Sequence, residues 1–386
     1  LRKLKVLDLR SNKLTEIPGA VFSGMTELNK LFLRHNRLQS LPGELAFLVN
    51  LEVLSVRQNQ LVQLPDLNSL VNLKVLDLSA NKIPSFPQIS KLAKLRELDL
   101  KQNHLTAISD DWSKLSELTR VDIALNQMSD IPACVLQLEG LLALDMESNQ
   151  IAAIPAQISR LKKMEQLYMN RNSLKTLPEE IGACESLREL MVKGNRMVSL
   201  PQSLTKLSNL KLLDISSNEF ETFPEPALLP SLITLLVSDN SIATLPDCFE
   251  ALTSLKLFDA EANCLEELPP SIGAMSSLRE AKFGCNELHE LPDEIGDLTE
   301  LEFLWLEHNM LEWLPVSVGN LLRLKKLVLS DNQLDDLPND LVFLDNLTEL
   351  KIDCNSMRMI PDAQRGGNAA FHYLIKRAAA ERGVYS

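Results

Sequence analysis

One asparagine returns along this sequence at an almost fixed interval, and that interval constrains the fold more than any other feature. Neighbouring copies are 22 to 24 residues apart, and they occupy Asn12, Asn36, Asn59, Asn81, Asn103, Asn126, Asn149, Asn172, Asn195, Asn218, Asn240, Asn263, Asn286, Asn309, Asn332 and Asn355. Around each copy runs the frame L-x-x-L-x-L-x-x-N-x-L-x-x-L-P, and fifteen of the sixteen copies end in proline. Self-similarity of this length predicts a repeat array over residues 1–361, in which each repeat packs only against its neighbours.

The frame also predicts the local structure of a repeat. Alternating apolar positions, such as Leu213 and Ile215, are typical of a short strand whose apolar side chains point to one side. One repeat cannot bury these side chains alone, so stacking has to complete the core. A buried asparagine amide needs hydrogen-bond partners, and we expect the asparagines to form a ladder with backbone groups of adjoining repeats.

The frame resembles that of the leucine-rich repeat family, and it covers nearly the whole chain. The resemblance implies an α/β solenoid of about sixteen repeats, with a parallel β-sheet on a concave face and short helices or 3-10 turns on a convex face. It also implies protein binding through the concave face and no catalysis. The phrase L-P-x-x-I-G-x-L, seen at Leu177–Ile181 and Leu291–Leu298, resembles the intracellular Ras-group members of the family.

The two ends of the sequence depart from the repeat pattern. Leu1 already lies inside a repeat, so we expect the natural protein to extend further in that direction. After Pro361, a Gly-Gly-Asn segment leads into apolar residues at helical spacing, namely Phe371, Leu374, Ile375 and Ala378. This pattern predicts a capping helix and tail over residues 362–386. The alternative is a helix that binds a partner.

Composition narrows the classes of partner and the compartment. The 52 Asp and Glu against 39 Lys and Arg give a net charge of −13, which disfavours nucleic acid as the main partner. No run of about 18 apolar residues is present, so no membrane insertion is expected. The six cysteines are scattered without a close pair, which favours a reducing compartment and a cytoplasmic protein.

Apolar residues at outward positions of the frame are candidate anchors for a partner protein. We expect exposed columns four, two and one residues before each asparagine. The candidate anchors among the outward apolar residues are Tyr168, Met191, Leu236 and Trp305, and Trp313 follows in the same repeat as Trp305. Exposed aromatics among charges are typical of interfaces. Single apolar residues on a surface are also common. Because Leu236 and Trp305 are three repeats apart, these positions form two patches or none.

Charged residues occupy the same columns in blocks. Arg10, Arg34 and Arg57 form a basic stripe that suits an acidic segment or a phosphopeptide. Four consecutive repeats place stacked carboxylates further along, namely Asp77, Asp99, Asp122 and Asp145. These carboxylates form either a site for a basic partner or a common usage of the frame that nearby Lys101 and Arg120 screen.

Neither a metal site nor a catalytic site is predicted. The four potential zinc ligands in one column are Cys285, His308, Asp331 and Cys354. The outer two are three strand spacings apart, about 15 Å, which is too far for one ion. No nucleotide-binding, hydrolase or metalloprotease motif is present. We therefore expect no cofactor, no metal and no enzymatic activity.

The function predicted from the sequence is that of a protein-interaction scaffold or adaptor. A small GTPase or a phosphatase in signal transduction is the first specific partner class, by resemblance alone. The alternative is the recognition or regulatory domain of a larger enzyme, such as a kinase, a cyclase or a ubiquitin ligase. A third hypothesis is innate immune recognition. The sequence leaves the oligomeric state undetermined.

Overall fold

The computed structural model describes residues 1–108, 111–225 and 228–358, together with residues 373, 376 and 377. The chain forms two compact units, Leu1–Asn195 and Arg196–Ser386. No helix within the described ranges is long and apolar enough to cross a membrane.

Each repeat contributes one three-residue strand, and the strands follow one another in chain order, all parallel. In the first unit these are β1 (Val6–Asp8), β2 (Lys30–Phe32), β3 (Val53–Ser55), β4 (Val75–Asp77), β5 (Glu97–Asp99), β6 (Arg120–Asp122), β7 (Ala143–Asp145), β8 (Gln166–Tyr168) and β9 (Glu189–Met191). In the second unit they are β10 (Leu212–Asp214), β11 (Thr234–Leu236), β12 (Leu257–Asp259), β13 (Glu280–Lys282), β14 (Phe303–Trp305), β15 (Lys326–Val328) and β16 (Glu349–Lys351). The predicted leucine-rich-repeat architecture is confirmed.

The middle residue of each strand points into the core, because successive side chains of a strand alternate between its faces. Leu76 pairs with Leu98, for example, and both are buried. Stacked leucines from neighbouring repeats therefore form a continuous apolar interior within each unit. This burial is the main driving force for stacking.

The repeated asparagines form the predicted ladder. Asn59 shows the pattern: its Nδ2 donates to the carbonyls of Val56 at 2.8 Å and of Leu33, in the preceding repeat, at 3.0 Å. Its Oδ1 accepts from the N–H of Leu38, also in the preceding repeat, at 3.0 Å. Each amide thus satisfies buried backbone groups of two repeats at once.

The residue before every ladder asparagine has a positive φ, between 53° and 68°. Fifteen of these sixteen residues are not glycine, and the exception is Gly194. The left-handed conformation turns the chain sharply into the asparagine. None of the sixteen residues is β-branched, in keeping with the high cost of φ > 0 for Val, Ile and Thr.

Short 3-10 helices lie on the side of the repeats away from the strands. They span Gly19–Gly24, Gly43–Phe47, Val135–Gln137, Ala156–Arg160, Glu179–Ala183, Gln202–Lys206, Phe249–Ala251, Pro270–Ala274, Asp293–Asp297, Val316–Asn320 and Asn339–Phe343. In most of them the frame proline is the N-cap residue, and its extended backbone turns the chain into the helix, as at Pro178 and Pro292.

The glycine that follows Ile or Val in these 3-10 helices, as in Ile272-Gly273 and Val318-Gly319, reflects how closely the helices pack. A Cβ added at Gly273 would lie 2.6 Å from the Glu294 carbonyl oxygen, and one added at Gly319 would lie 2.7 Å from that of Asp340. Only glycine therefore allows the neighbouring helices to approach this closely.

The fifth repeat lacks the frame proline and has Ser109 there, before Asp110-Asp111. This Ser-led, Asp-rich sequence could cap a short helix, but residues 111–119 contain turns and no helix, as do the corresponding segments of the third and fourth repeats. Ser109 and Asp110 lie outside the described residues. Trp112 is fully buried there and packs edge-on against Phe86, with ring centroids 6.4 Å apart. An aromatic side chain thus fills the core in this part of the repeat.

Three described residues fall within the predicted capping helix, and Tyr373, Lys376 and Arg377 are all helical. Helical spacing predicts Arg377 on the face opposite the apolar residues, and there it bonds to Asp336 at 2.8 Å and to Asn339 at 2.6 Å. These contacts hold Arg377 against the fifteenth repeat. The other residues of the segment 362–386 lie outside the described part, so its boundaries and capping role stay predictions.

Candidate functional site: the sheet face

Three outward positions in each repeat form a surface along the strands of each unit. They are the first and third residues of the strand and the residue two positions after it, and we call this surface the sheet face. Hydrogen bonds continue past the strand: the Ser11 N–H donates to the Arg34 carbonyl, and the His35 N–H donates to the Arg57 carbonyl, both at 3.0 Å. The residue two positions after each strand is therefore held in register as well.

The sequence reasoning missed the column formed by the first residue of each strand, six positions before the asparagine. It includes Phe303, Glu189 and Lys326, which are half-buried on the sheet face. The alternation of side chains could have revealed this column, because the residue directly before the inward leucine of a strand points outward as well. Several contacts of the predicted site residues are made to this column.

Trp305 lies on β14 and, with Phe303, forms an aromatic pair on the sheet face. The two rings stack, with centroids 5.7 Å apart and planes at 24°. The Lys282 and Lys326 ammonium groups lie 5.5 Å and 5.9 Å from the Trp305 ring centroid. The pair is half-buried and held in place by cation–π contacts. A preformed apolar surface of this kind suits an interface, because little side-chain entropy remains to be lost on binding.

The lysines beside this aromatic pair are themselves paired with carboxylates. Lys282 lies 3.3 Å from Glu280 and 3.5 Å from Asp259. These neighbours raise the pKa of Lys282 even though burial opposes the shift. Lys326 lies 3.2 Å from Glu349. Both lysines beside Trp305 are therefore paired within the chain.

Tyr168 and Met191 are neighbours on β8 and β9, where their Cα atoms pair in register. Both side chains are half-buried on the sheet face. The Tyr168 hydroxyl donates to the Glu189 carboxylate. Burial is the larger cause, and the negatively charged Glu189 the second, of a raised pKa of the Tyr168 phenol. The two residues make one small patch in the first unit.

Leu236 and Trp313 do not join either patch. Leu236 is half-buried on β11, where the strand register places it between Asp214 and Asp259. Trp313 lies beyond its strand, outside the sheet face, and is 50% exposed. The five predicted anchors are thus a pair, Tyr168 with Met191, and three separate residues.

The four stacked aspartates lie in register on β4 to β7. One oxygen of each accepts the backbone N–H two residues later, as in Asp122 with Ala124 at 2.9 Å. Burial, together with the neighbouring carboxylates, raises the pKa of Asp122 to about 6. Burial likewise raises the pKa of Asp99 and Asp145. Lys101 opposes the shift at Asp122 and Asp145, as expected from the sequence.

A depression of about 300 Å³ lies over three of these carboxylates, those of Asp99, Asp122 and Asp145. Its lining comes entirely from the first unit and consists of Glu97, Leu98, Asp99, Arg120, Val121, Asp122, Ala143, Asp145 and Tyr168. These three aspartates therefore line a shallow groove together with Tyr168.

The three arginines of the basic stripe differ in their surroundings. Arg10 Nε donates to both carboxylate oxygens of Asp8 at 2.7 Å, and its guanidinium lies 5.3 Å from the Phe32 ring centroid. That ion pair raises the pKa of Arg10 and lowers the pKa of Asp8. Arg34 and Arg57 are exposed and form no ion pair with any residue of the described part.

The column considered for a metal contains a direct pair. His308 Nδ1 lies 2.6 Å from an Asp331 carboxylate oxygen. No group of three or more potential ligands occurs among the described residues. All six cysteines are free thiols, and Cys134 and Cys184 are buried.

Comparison with known proteins identifies the repeat and its structural relatives. The family model for the leucine rich repeat matches residues 2–61, and the model for a leucine-rich repeat region matches residues 55–174. Comparison with curated proteins gives no match.

Among solved structures, the leucine-rich repeat protein LIC12759 of Leptospira interrogans is 32% identical, with a TM-score of 0.80. The match covers 97% of this chain and 89% of that one. The ectodomain of the Arabidopsis thaliana receptor kinase GASSHO1/SCHENGEN3, in complex with CASPARIAN STRIP INTEGRITY FACTOR 2, is 29% identical with a TM-score of 0.68. That match covers 92% of this chain but 47% of the receptor chain.

A third neighbour is the plant peptide hormone receptor RGFR1 in complex with RGF2. It is 25% identical, with a TM-score of 0.65, and the match covers 92% of this chain and 71% of that one.

Proposed function

Because the chain belongs to the leucine-rich repeat family, we propose that it is a non-catalytic protein-interaction module that binds a partner on its sheet face. Fold alone does not assign a function, so the proposal depends on the surface. The observation that carries it is the aromatic pair of Phe303 and Trp305, stacked and fixed on an open sheet by lysines.

Two features of the pair support its role as an anchor. Trp is enriched among the residues that dominate binding energy. The neighbouring lysines are already paired within the chain, so docking an apolar group on the indole leaves neither lysine without a carboxylate partner. Tyr168 and Met191 are a second, smaller patch that serves the same purpose in the first unit.

The narrower function we propose is that of a cytoplasmic scaffold or adaptor of the Ras-group type, with a small GTPase or a phosphatase as partner. Six free thiols support a reducing compartment. The I-G pairs that pack the 3-10 helices belong to the phrase on which the resemblance to that group was based.

A second candidate function is that of the recognition part of a larger receptor or enzyme. The GASSHO1/SCHENGEN3 neighbour favours it, because that structure is the ectodomain of a receptor kinase in complex with CASPARIAN STRIP INTEGRITY FACTOR 2. The full-length coding sequence separates the two candidates, because a catalytic domain in the same chain supports the second.

The test of the sheet face is affinity capture from native lysate with mass spectrometry. It compares the wild-type chain, Trp305→Asp and the control Val316→Asp. Val316 is 65% exposed and opens a 3-10 helix away from the sheet face. The new carboxylate in Trp305→Asp lies beside Lys282 and Lys326, so we expect little change in the melting temperature.

We expect the wild type and Val316→Asp to capture a partner protein that Trp305→Asp does not capture. Its affinity for purified Trp305→Asp should fall by about 30-fold or more, the loss typical of a dominant interface residue. Equal recovery by Trp305→Asp would remove the aromatic pair from the interface. Tyr168→Ala then asks whether the patch in the first unit contributes.

A further inference from the structure

The N-terminal sixty residues differ in charge from the rest of the chain. They contain nine Lys and Arg against five Asp and Glu, which leaves thirty against forty-seven in residues 61–386. A region of net positive charge in an acidic protein attracts negatively charged groups. It is therefore a candidate for recognition of an anionic partner.

The sheet face of β1 to β3 gathers this positive charge on one surface. Its nine outward positions hold four cations and one carboxylate. We call the four cations, together with Phe32, the basic patch; the cations are Arg10, Lys30, Arg34 and Arg57. Strand pairing spaces neighbouring arginines about 5 Å apart. Like charges this close repel one another, and an anion placed between them relieves the repulsion.

Two arginines of the basic patch are available to a ligand. The one carboxylate on this surface, Asp8, bonds to Arg10. Lys30, Arg34 and Arg57 are exposed and form no ion pair within the described ranges of the chain. Arginine forks recognise carboxylates through paired hydrogen bonds. The patch therefore offers unused donors for at least two acidic groups.

The patch also has an apolar floor and a concavity. The Phe32 side chain is half-buried between the cations, under the Arg10 guanidinium. A depression of about 550 Å³ is lined by Asp8, Arg10, Ser11, Arg34 and His35. Apolar contact on Phe32, with carboxylates on the arginines around it, suits a chain that carries both kinds of side chain.

The charges on the next strands limit the length of the anion. From β4 onward the sheet face carries Asp77, Asp99, Asp122 and Asp145 in register. A nucleic acid strand has continuous negative charge and would meet this row of carboxylates. A short acidic segment of a protein ends before it.

We propose that the basic patch docks a short acidic segment of a partner protein, with Arg34 and Arg57 binding its carboxylates and Phe32 as the apolar floor. The inference rests on the proposed function in that both use the sheet face for protein binding. It uses strands and residues distant in sequence from Trp305, so each can fail without the other.

The test is fluorescence anisotropy with a labelled peptide of alternating Glu and Ser that contains one Leu, at physiological ionic strength. The variants are Arg34→Glu/Arg57→Glu, the control Arg160→Glu/Lys163→Glu with the same change in charge, and Trp305→Asp. The control residues are exposed and lie at or just after the 3-10 helix Ala156–Arg160, away from the sheet face. Circular dichroism checks that every variant is folded.

We expect the acidic peptide to bind the wild type, the control and Trp305→Asp alike, and Arg34→Glu/Arg57→Glu roughly tenfold or more weakly. Affinity should fall as salt is added. No binding by the wild type, or an equal loss in the control, would overturn the proposal.

Two further results identify a different occupant and so also overturn it. One is tighter binding of a single-stranded oligonucleotide than of the peptide, lost in Arg34→Glu/Arg57→Glu. The other is self-association in sedimentation velocity that the same variant abolishes, which would assign the patch to a second copy of this chain. Failure of the Trp305→Asp capture experiment leaves the peptide result unaffected.

Discussion

Adjacent residues of one strand meet two different environments, and their roles differ accordingly. Leu190, in the middle of β9, is fully buried, whereas Met191, beside it, is half-buried on the sheet face. The inward rows of leucine and asparagine repeat almost unchanged from strand to strand. The outward rows carry arginine, aspartate, tyrosine or tryptophan in different parts. Stacking therefore dictates the inward residues, while the sheet face is where one such protein differs from another.

The largest difference in stability should be between two variants of β9, one with a new charge on the buried side of the strand and one with a new charge on the sheet face. Leu190→Asp buries an unpaired carboxylate and should destabilise the first unit by more than about 4 kcal/mol. Met191→Asp changes a residue that contacts solvent, and we expect less than about 1 kcal/mol. Urea denaturation of both variants measures the difference. Similar losses would show that Met191 belongs to the core.

The next effect concerns the asparagine ladder. Asn195 Nδ2 donates to the Met169 and Val192 carbonyls at 3.0 Å and 2.8 Å, and its Oδ1 accepts from Leu174 N–H at 2.9 Å. Asn195→Ala strands these buried backbone groups and should cost about 3 kcal/mol. Lys193→Ala, which changes an exposed residue nearby, should reduce the stability little. Calorimetric melting of the pair tests this, and a neutral Asn195→Ala contradicts the ladder as a source of stability.

A third effect should have the opposite sign and depend on pH. The pKa of Asp122 is raised to about 6, above its unfolded value, so the folded protein binds more protons between about pH 4 and pH 6. Its stability should therefore fall as the pH rises through that window. Asp122→Asn removes the charge and keeps the bond from Ala124, and should add roughly 1–2 kcal/mol at pH 7 after allowance for partial exposure.

Denaturation at pH 4 and pH 7 measures the effect of Asp122→Asn, with Glu219→Gln as an exposed control outside the sheet face. The gain should shrink at the lower pH. A constant gain at both pH values is the result that speaks against ionisation as its cause.

The smallest effect belongs to the hydroxyl of Tyr168. Tyr168→Phe keeps the ring and removes the bond to Glu189, and should cost about 1 kcal/mol or less. A double-mutant cycle with Glu189→Gln isolates the interaction. An additive cycle would mean that the bond contributes nothing to stability, and partner binding would then have to explain the arrangement.

Much of the fold could be predicted because the frame specifies it redundantly. The alternation of Leu213 and Ile215 fixes the inward side, the asparagine fixes the turn, and proline fixes the start of the opposite segment. The turn before the asparagine could have been predicted in more detail. Its sixteen residues include no valine, isoleucine or threonine, which is the sequence sign of a positive φ.

The candidate site was less predictable, because contacts between side chains depend on conformations that spacing does not fix. The outward position of Trp305 followed from the frame, but its stacking on Phe303 did not, since the column of Phe303 was not recognised. Likewise, the three arginines looked equivalent in the sequence. The bidentate bond of Arg10 to Asp8 distinguishes it from Arg34 and Arg57.

The asparagine ladder has a direction. Asn59 bonds to its own strand and to Leu33 and Leu38 of the repeat before it, so every junction within a unit is closed by the later repeat. Removal of one whole internal repeat would re-form the same amide contacts at the new junction, because the next asparagine meets the same two backbone groups. Removal of a single residue between two asparagines offers no such replacement. The molecule is therefore built to change length in whole repeats, and each such change would bring different rows of outward side chains next to each other.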